Sequence, residues 1–363
     1  VLICPLCERV YPGGSLDRCP EDGSPLYVVG DDVAARKALT PGDQVAGKYE
    51  LLEEITHRTG AGRTFRARQI QLEREVELRL LPENTIVKPA DHARFRREVE
   101  TWGKLRNDHL VRLYDSGFAE GNAPYMALEY VGGGSAGDQL RQSGRLSIDL
   151  VRTCARHVLR ALDAAHRANV LHRDITPDAI IISSRIGGGV ACRLTGFGLA
   201  KHLGDDDDDP TAITMTGQVV GSPAYMAPET IMRGILDPKT DLYALGVTLY
   251  ELLAGARPFP GQSLAELLAE HVRGVPIPIV QHRTDVPPGF RIFLEQMMAR
   301  EPERRFQSAE QALESLEFAS EQGEHTPSIH IRLKRDEAKK RERMLMAMMV
   351  VATIVATVLL AML

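Results

Sequence analysis

At 363 residues, with 44 % hydrophobic and 26 % charged side chains, the chain holds enough apolar material for one large domain of about 250 residues plus smaller appendages. The net charge of −5 carries no basic excess, and Lys and Arg are spread along the chain, which argues against nucleic acid as a partner. The five cysteines, three of them within the first twenty residues, do not form the framework of a secreted disulfide protein.

Composition divides the chain into a Cys/Pro/Gly-rich head (1–28), a polar linker (29–46), a mixed globular stretch (47–318), a charged linker (319–343) and an apolar run (344–363). It opens at Val1 and stops in that apolar run, as a piece of a longer protein would. In the head, Cys4-Pro-Leu-Cys7 and Cys19-Pro-Glu-Asp22 form two tight turns whose spacing is similar to that of a zinc ribbon. So short a segment cannot bury enough apolar surface to fold unaided, so a structural zinc held by Cys4, Cys7, Cys19 and Asp22 is expected. A Cys3Asp set is uncommon; a ribbon without metal, and redox use of Cys4 and Cys7, are the alternatives.

Residues 49–130 read as short β-rich runs interrupted by one helix over 90–105, where Phe95, Val99 and Trp102 recur at helical spacing. From Leu146 onward helical periodicity dominates, as in 147–167 and 241–254. The expected fold is therefore α+β: a small β-rich lobe followed by a larger helical lobe. Cys154 and Cys192 lie in apolar segments and read as small buried hydrophobes. The acidic run 205–209, followed by Thr211, Thr214 and Thr216, reads as a solvated loop; the alternative is a negative patch that stands in for phosphate and pairs with Arg173. In 344–363 only Thr353 and Thr357 are polar, and a helix of that length spans about 30 Å, the thickness of a bilayer core. One membrane span is expected, and the Lys and Arg before it place everything N-terminal in the cytoplasm.

Within the globular stretch, His172-Arg173-Asp174 followed by Thr-Pro-Asp resembles the catalytic loop of protein kinases. The order of further landmarks makes the resemblance specific. Glu98 lies in a small-lobe helix; then come a hinge-like Leu128-Glu129-Tyr130-Val131, Gly196-Phe197-Gly198, and Gly221-Ser-Pro-Ala-Tyr-Met-Ala-Pro-Glu229. Asp241 and Arg305 follow where the family has its large-lobe Asp and Arg. The likeness covers residues 49–316 and is strongest to bacterial Ser/Thr kinases, which implies a two-lobed kinase fold with a nucleotide cleft lined by Gly60, Gly62, Arg79, Glu98, Glu129 and Val131. Asp174 is implied as the base, and Glu229 with Arg305 as a buried ion pair.

The resemblance also exposes departures from the family. Phosphoryl transfer needs a nucleotide held still and metal ions placed against its phosphates. Where the family has its two metal ligands this chain has Gly196 and Ala179, neither with a side-chain oxygen for a hard cation. Arg79 replaces the phosphate-pairing Lys, Thr176 the catalytic-loop Lys, and Glu77 the small residue that packs on adenine. His57 and Thr59 stand where the first two loop glycines belong. Because side chains at i and i+2 share a strand face, Glu77 and Arg79 are expected to point together into the cleft and, with Glu98, to fill it.

These departures imply that ATP and Mg are bound weakly or not at all, and that Asp174 is vestigial. The expected function is a membrane-anchored pseudokinase, a scaffold or allosteric partner for proteins such as an active Ser/Thr kinase. The alternative is an active Ser/Thr kinase with atypical metal binding, Asp178 or the acidic loop supplying ligands.

Overall fold

Along residues 74–80 apolar and charged side chains alternate, so one face of the strand can enter a core while the other carries charge. The computed structural model describes residues 39–55, 62–81, 89–119, 123–185, 187–196, 222–261 and 263–321, with short pieces of the head at 2–3, 10–11, 18, 20 and 27–28. In the head, β1 (Leu2–Ile3) pairs antiparallel with β2 (Val10–Tyr11) and β3 (Tyr27–Val28). Cys4, Cys7, Cys19 and Asp22 lie outside the described residues.

The small lobe is a six-stranded antiparallel sheet of β4 (Gln44–Val45), β5 (Tyr49–Ile55), β6 (Arg63–Gln69), β7 (Arg74–Leu80), β8 (Leu113–Phe118) and β9 (Pro124–Glu129), in the order β4-β5-β6-β7-β9-β8. Since β4 pairs with β5, the lobe begins inside the stretch read from composition as linker. Tyr49, Leu51, Phe65, Val76, Leu78 and Ala127 form its core. On the opposite face Glu75 pairs with Arg66 and Glu50 with Arg68, while Glu54 pairs with Arg63 between the ends of β5 and β6. Helix α1 (Pro89–Lys104) crosses the lobe where helical spacing predicts one, and its Phe95, Val99 and Trp102 are buried.

A short sheet of β10 (Gly134–Ser135), β11 (Ile180–Ser184) and β12 (Val190–Leu194) floors the second lobe. Its helices are α2 (Ala136–Ser143), α3 (Ile148–Arg167), α4 (Pro228–Arg233), α5 (Pro238–Ala254), α6 (Leu264–Arg273), α7 (Pro288–Met297) and α8 (Ala309–Glu321). Ser147 caps α3 by accepting the Leu150 N–H. Helix α5 starts at Pro238, earlier than periodicity alone suggests, because Asp237 accepts the N–H groups of Lys239 and Thr240 and Pro fits the first turn. Being apolar on nearly every side, α5 is the buried axis of the lobe; Leu245, Leu249 and Leu252 share one core with Val158 and Leu162 of α3 and Phe290 and Phe293 of α7.

Glu229 and Arg305 form the expected buried bridge, Nη1 to Oε1 at 2.7 Å and Nη2 to Oε2 at 2.8 Å. Arg305 also donates to the carbonyls of Ala299, Lys239 and Arg300, so the guanidinium is satisfied on all sides. No helix among the described residues is long and apolar enough to cross a membrane; the expected span at 344–363 lies outside them, as does the acidic run at 205–209.

Candidate nucleotide cleft

Glu77 and Arg79, two apart on β7, point to the same side and are almost fully enclosed, at 2 % and 6 % exposure. Arg79 donates through Nε (2.9 Å) and Nη2 (2.8 Å) to a single carboxylate oxygen, Glu77 Oε1. Its Nη2 also donates to Thr195 Oγ1 at 2.9 Å, so the guanidinium reaches from the small-lobe sheet to the residue just before Gly196. A buried charge is tolerable only when paired and hydrogen-bonded, and Glu77 supplies that pairing from within the chain. The charge pairing expected of Glu77 and Arg79 is thus present. Glu98 rides on α1, but its side chain lies outside the described residues.

Thr195 joins three elements: its hydroxyl takes Arg79, its N–H donates to the Ala179 carbonyl (2.9 Å), and its carbonyl accepts from His172 Nε2 (2.9 Å). His172 is fully enclosed, and burial pushes its imidazole below the ordinary range. Its Nδ1 accepts the Asp174 N–H, which fixes the neutral ring with the proton on Nε2. Asp241 anchors the same loop, accepting the N–H of His172 (2.9 Å) and of Arg173 (2.8 Å) and lying 2.8 Å from His166 Nε2. Burial alone would raise the Asp241 carboxyl, but the His166 and His172 contacts more than offset it and hold it below the usual range. The Arg173 backbone stands in the left-handed region at φ 67°, a strained setting that Asp241 secures. Asp174 is buried within this frame, at 4 % exposure.

The residues at the two metal-ligand positions do not fit a divalent ion. Gly196 has φ 84°, a conformation glycine takes without strain, and offers no side chain; Ala179 is fully buried and apolar. Asp178, the candidate replacement ligand, is already engaged: its oxygens accept from Arg141 at 2.7 and 3.2 Å and from Ser135 Oγ at 2.9 Å. Among the described residues no cluster of three or more His, Cys, Asp or Glu side chains could hold a metal. Thr176, where the family has Lys, is buried, and its hydroxyl finds no partner among the described residues.

The remaining cleft residues are spread along its edge. Gly60 lies outside the described residues. At Gly62, φ is 105° and an added Cβ would meet the Leu80 carbonyl at 2.0 Å, so this glycine is required by the close pass of the loop over β7. Val131 is buried at the hinge, and the Glu129 carboxylate is taken by Arg193 Nη1 of β12 at 2.5 Å, a second tie between the strands of the two lobes. Neither Thr195 nor Arg193 stands out in the sequence; the signal available is their position just before Gly196, with Arg193 near the end of β12 and Thr195 directly after it.

Residues 58–316 match the protein kinase domain family. The chain is 34 % identical over 271 residues to serine/threonine-protein kinase pkn3 of Myxococcus xanthus, covering 74 % of this chain and 49 % of that protein. It is 31 % identical over 274 residues to serine/threonine-protein kinase PknB of Mycolicibacterium smegmatis, covering 75 % and 43 %. The chain thus spans less than half the length of these relatives. Its fold is also that of the Mycobacterium tuberculosis PknI kinase domain, at 24 % identity and a TM-score of 0.58 over 78 % of this chain and all of that one. With its two lobes, its His172-Arg173-Asp174 loop held by Asp241 and its Glu229–Arg305 bridge, the chain belongs to the protein kinase family, in its bacterial serine/threonine kinase type.

Proposed function

We propose that this protein is a non-catalytic member of its family, a pseudokinase whose folded domain serves as a scaffold or allosteric partner for other proteins, an active Ser/Thr kinase among them. The observation that carries this reading is the buried Glu77–Arg79 pair closed onto Thr195. A nucleotide phosphate arriving at Arg79 has to displace a carboxylate already bonded to it, and that carboxylate repels the phosphate charge. Gly196 and Ala179 offer no side-chain oxygen to a metal that could offset the repulsion. Loss of one well-placed electrostatic contact slows an enzyme by about 10²- to 10³-fold, and residues that act as a unit do not simply multiply, so even a partial reading of these losses leaves little turnover. Asp174 then keeps a structural role in a loop whose architecture is intact. In the same proposal the domain is tethered on the cytoplasmic face of a membrane by residues 344–363 and carries a zinc-bearing head.

The test is phosphate transfer from labelled ATP to a generic Ser/Thr peptide in Mg²⁺ or Mn²⁺, beside an Asp174→Ala control. The expected result is the same background for both. Transfer by the wild-type chain that disappears in the control establishes an active kinase instead.

A further inference from the structure

Away from the cleft, the large lobe encloses a second group of chemically capable side chains. Cys154 of α3 and Cys192 of β12 are fully buried, with their sulfurs 2.9 Å apart. Unbonded heavy atoms of similar size settle at roughly 3.5–4 Å, whereas a disulfide bond is about 2.05 Å long. The two sulfurs therefore lie inside ordinary contact, and less than about 1 Å of further approach would bond them. Cys192 is held there by both its main-chain groups: its N–H donates to His157 Nδ1 at 3.1 Å and its carbonyl lies 3.3 Å from His109 Nδ1. The two imidazoles stack with centroids 4.0 Å apart, and His157 stands one helical turn from Cys154 on α3. Each sulfur is thus fixed from its own element and aimed at the other.

We propose that Cys154 and Cys192 form a reversible dithiol–disulfide pair that cross-links α3 to β12. With a peroxide as oxidant, one sulfur, as its thiolate, attacks a peroxide oxygen; the O–O bond breaks, a sulfenic acid forms and one water leaves. The second sulfur then displaces that oxygen as a second water, closing the S–S bond. Two electrons pass from the thiols to the peroxide and both thiol protons end in water. The contact with Cys192 and the burial push the Cys154 thiol well above its ordinary range, so thiolate is scarce and the reaction is slow, proceeding through local opening of the lobe. A thiol reductant reverses it.

The loop closed by this bond runs from 154 to 192 and contains His172, Arg173 and Asp174, while β12 leads directly into Thr195. Oxidation therefore constrains the unfolded chain and stiffens the floor of the cleft, and Tm rises by roughly 5 °C or more. None of this depends on whether the cleft takes nucleotide.

The experiment uses the full chain, reduced, exposed to hydrogen peroxide, alkylated under denaturing conditions and digested without reductant. Mass spectrometry is expected to find a peptide pair joining Cys154 to Cys192, two hydrogens lighter than the free-thiol peptides and lost on treatment with dithiothreitol, with the rise in Tm reversed in parallel. Cys192→Ser should give neither the link nor the shift; should that variant fail to fold, the wild-type map decides alone. Recovery of both cysteines as alkylated thiols, as separately oxidised acids, or as links to Cys4, Cys7 or Cys19 would overturn the proposal.

Discussion

The Glu229–Arg305 and Glu77–Arg79 pairs are both buried carboxylate–guanidinium contacts, yet they are built differently. The first joins residues 76 apart, uses both carboxylate oxygens and is backed by three carbonyls. The second joins residues two apart on one strand, sends two bonds from Arg79 to one oxygen, and reaches Thr195 across the cleft. A contact between distant parts of the chain holds topology together; a contact within one strand adds nothing to topology and instead determines what the cleft presents. The family's architecture persists in the first region, while in the second a carboxylate of the chain itself occupies the guanidinium of Arg79.

Breaking the first pair should have the largest effect. Glu229→Ala leaves the Arg305 guanidinium buried without its counter-charge and is expected to cost roughly 3–5 kcal/mol in urea unfolding. A loss below about 1 kcal/mol would erase the contrast between the two regions.

The large-lobe scaffold should also be acid-sensitive. Burial pushes His157 and His271 down to about 4, against an ordinary imidazole near 6.5. Between those values the unfolded chain takes up protons that the fold refuses, so stability is complete above pH 6.5, falls as pH drops toward 4, and loses nothing more from these groups below it. The ceiling is roughly 3 kcal/mol for each ring. His157→Gln should flatten the slope of Tm against pH over that window; an unchanged slope would show that His157 stays protonated in the fold.

The cleft should respond in the opposite manner, with little change in stability and a large change in binding. Replacing both members of its pair by apolar residues, Glu77→Ala with Arg79→Met, removes the buried carboxylate along with its partner and is expected to shift stability by only about 1 kcal/mol. Combining Glu77→Ala and Arg79→Lys with Ala179→Asn and Gly196→Asp instead keeps a cation for the phosphates and returns side-chain oxygen ligands to both metal positions, and this fourfold variant should gain Mg²⁺-dependent nucleotide binding in a thermal-shift titration. If it folds and still ignores nucleotide, something other than these four residues closes the cleft. At the small end, Lys104→Ala removes an exposed partner of Glu100 one turn away and should leave the urea midpoint unmoved.

Much of this is legible in the amino-acid sequence. Helix α1 follows from the spacing of Phe95, Val99 and Trp102, and the common side of Glu77 and Arg79 follows from the two-residue period of a strand. The loop anchor at Asp241 and the Glu229–Arg305 bridge could be placed only by resemblance, since nothing local in sequence links residues so far apart. Thr195, Arg193 and the meeting of Cys154 with Cys192 were hidden for the same reason: each contact depends on how β12 lies against α3 and the small-lobe sheet. Periodicity also misplaced edges, starting the small lobe after β4 and α5 after its cap, because pairing of β4 with β5 and capping by Asp237 are backbone events that hydrophobic spacing does not register.

The most direct measurement is a calorimetric titration of the wild-type chain with ATP, run with and without Mg²⁺. A cleft satisfied by Glu77, Arg79 and Thr195 predicts no heat of binding at micromolar protein in either condition. Saturable binding at micromolar ATP that tightens when Mg²⁺ is added would contradict it.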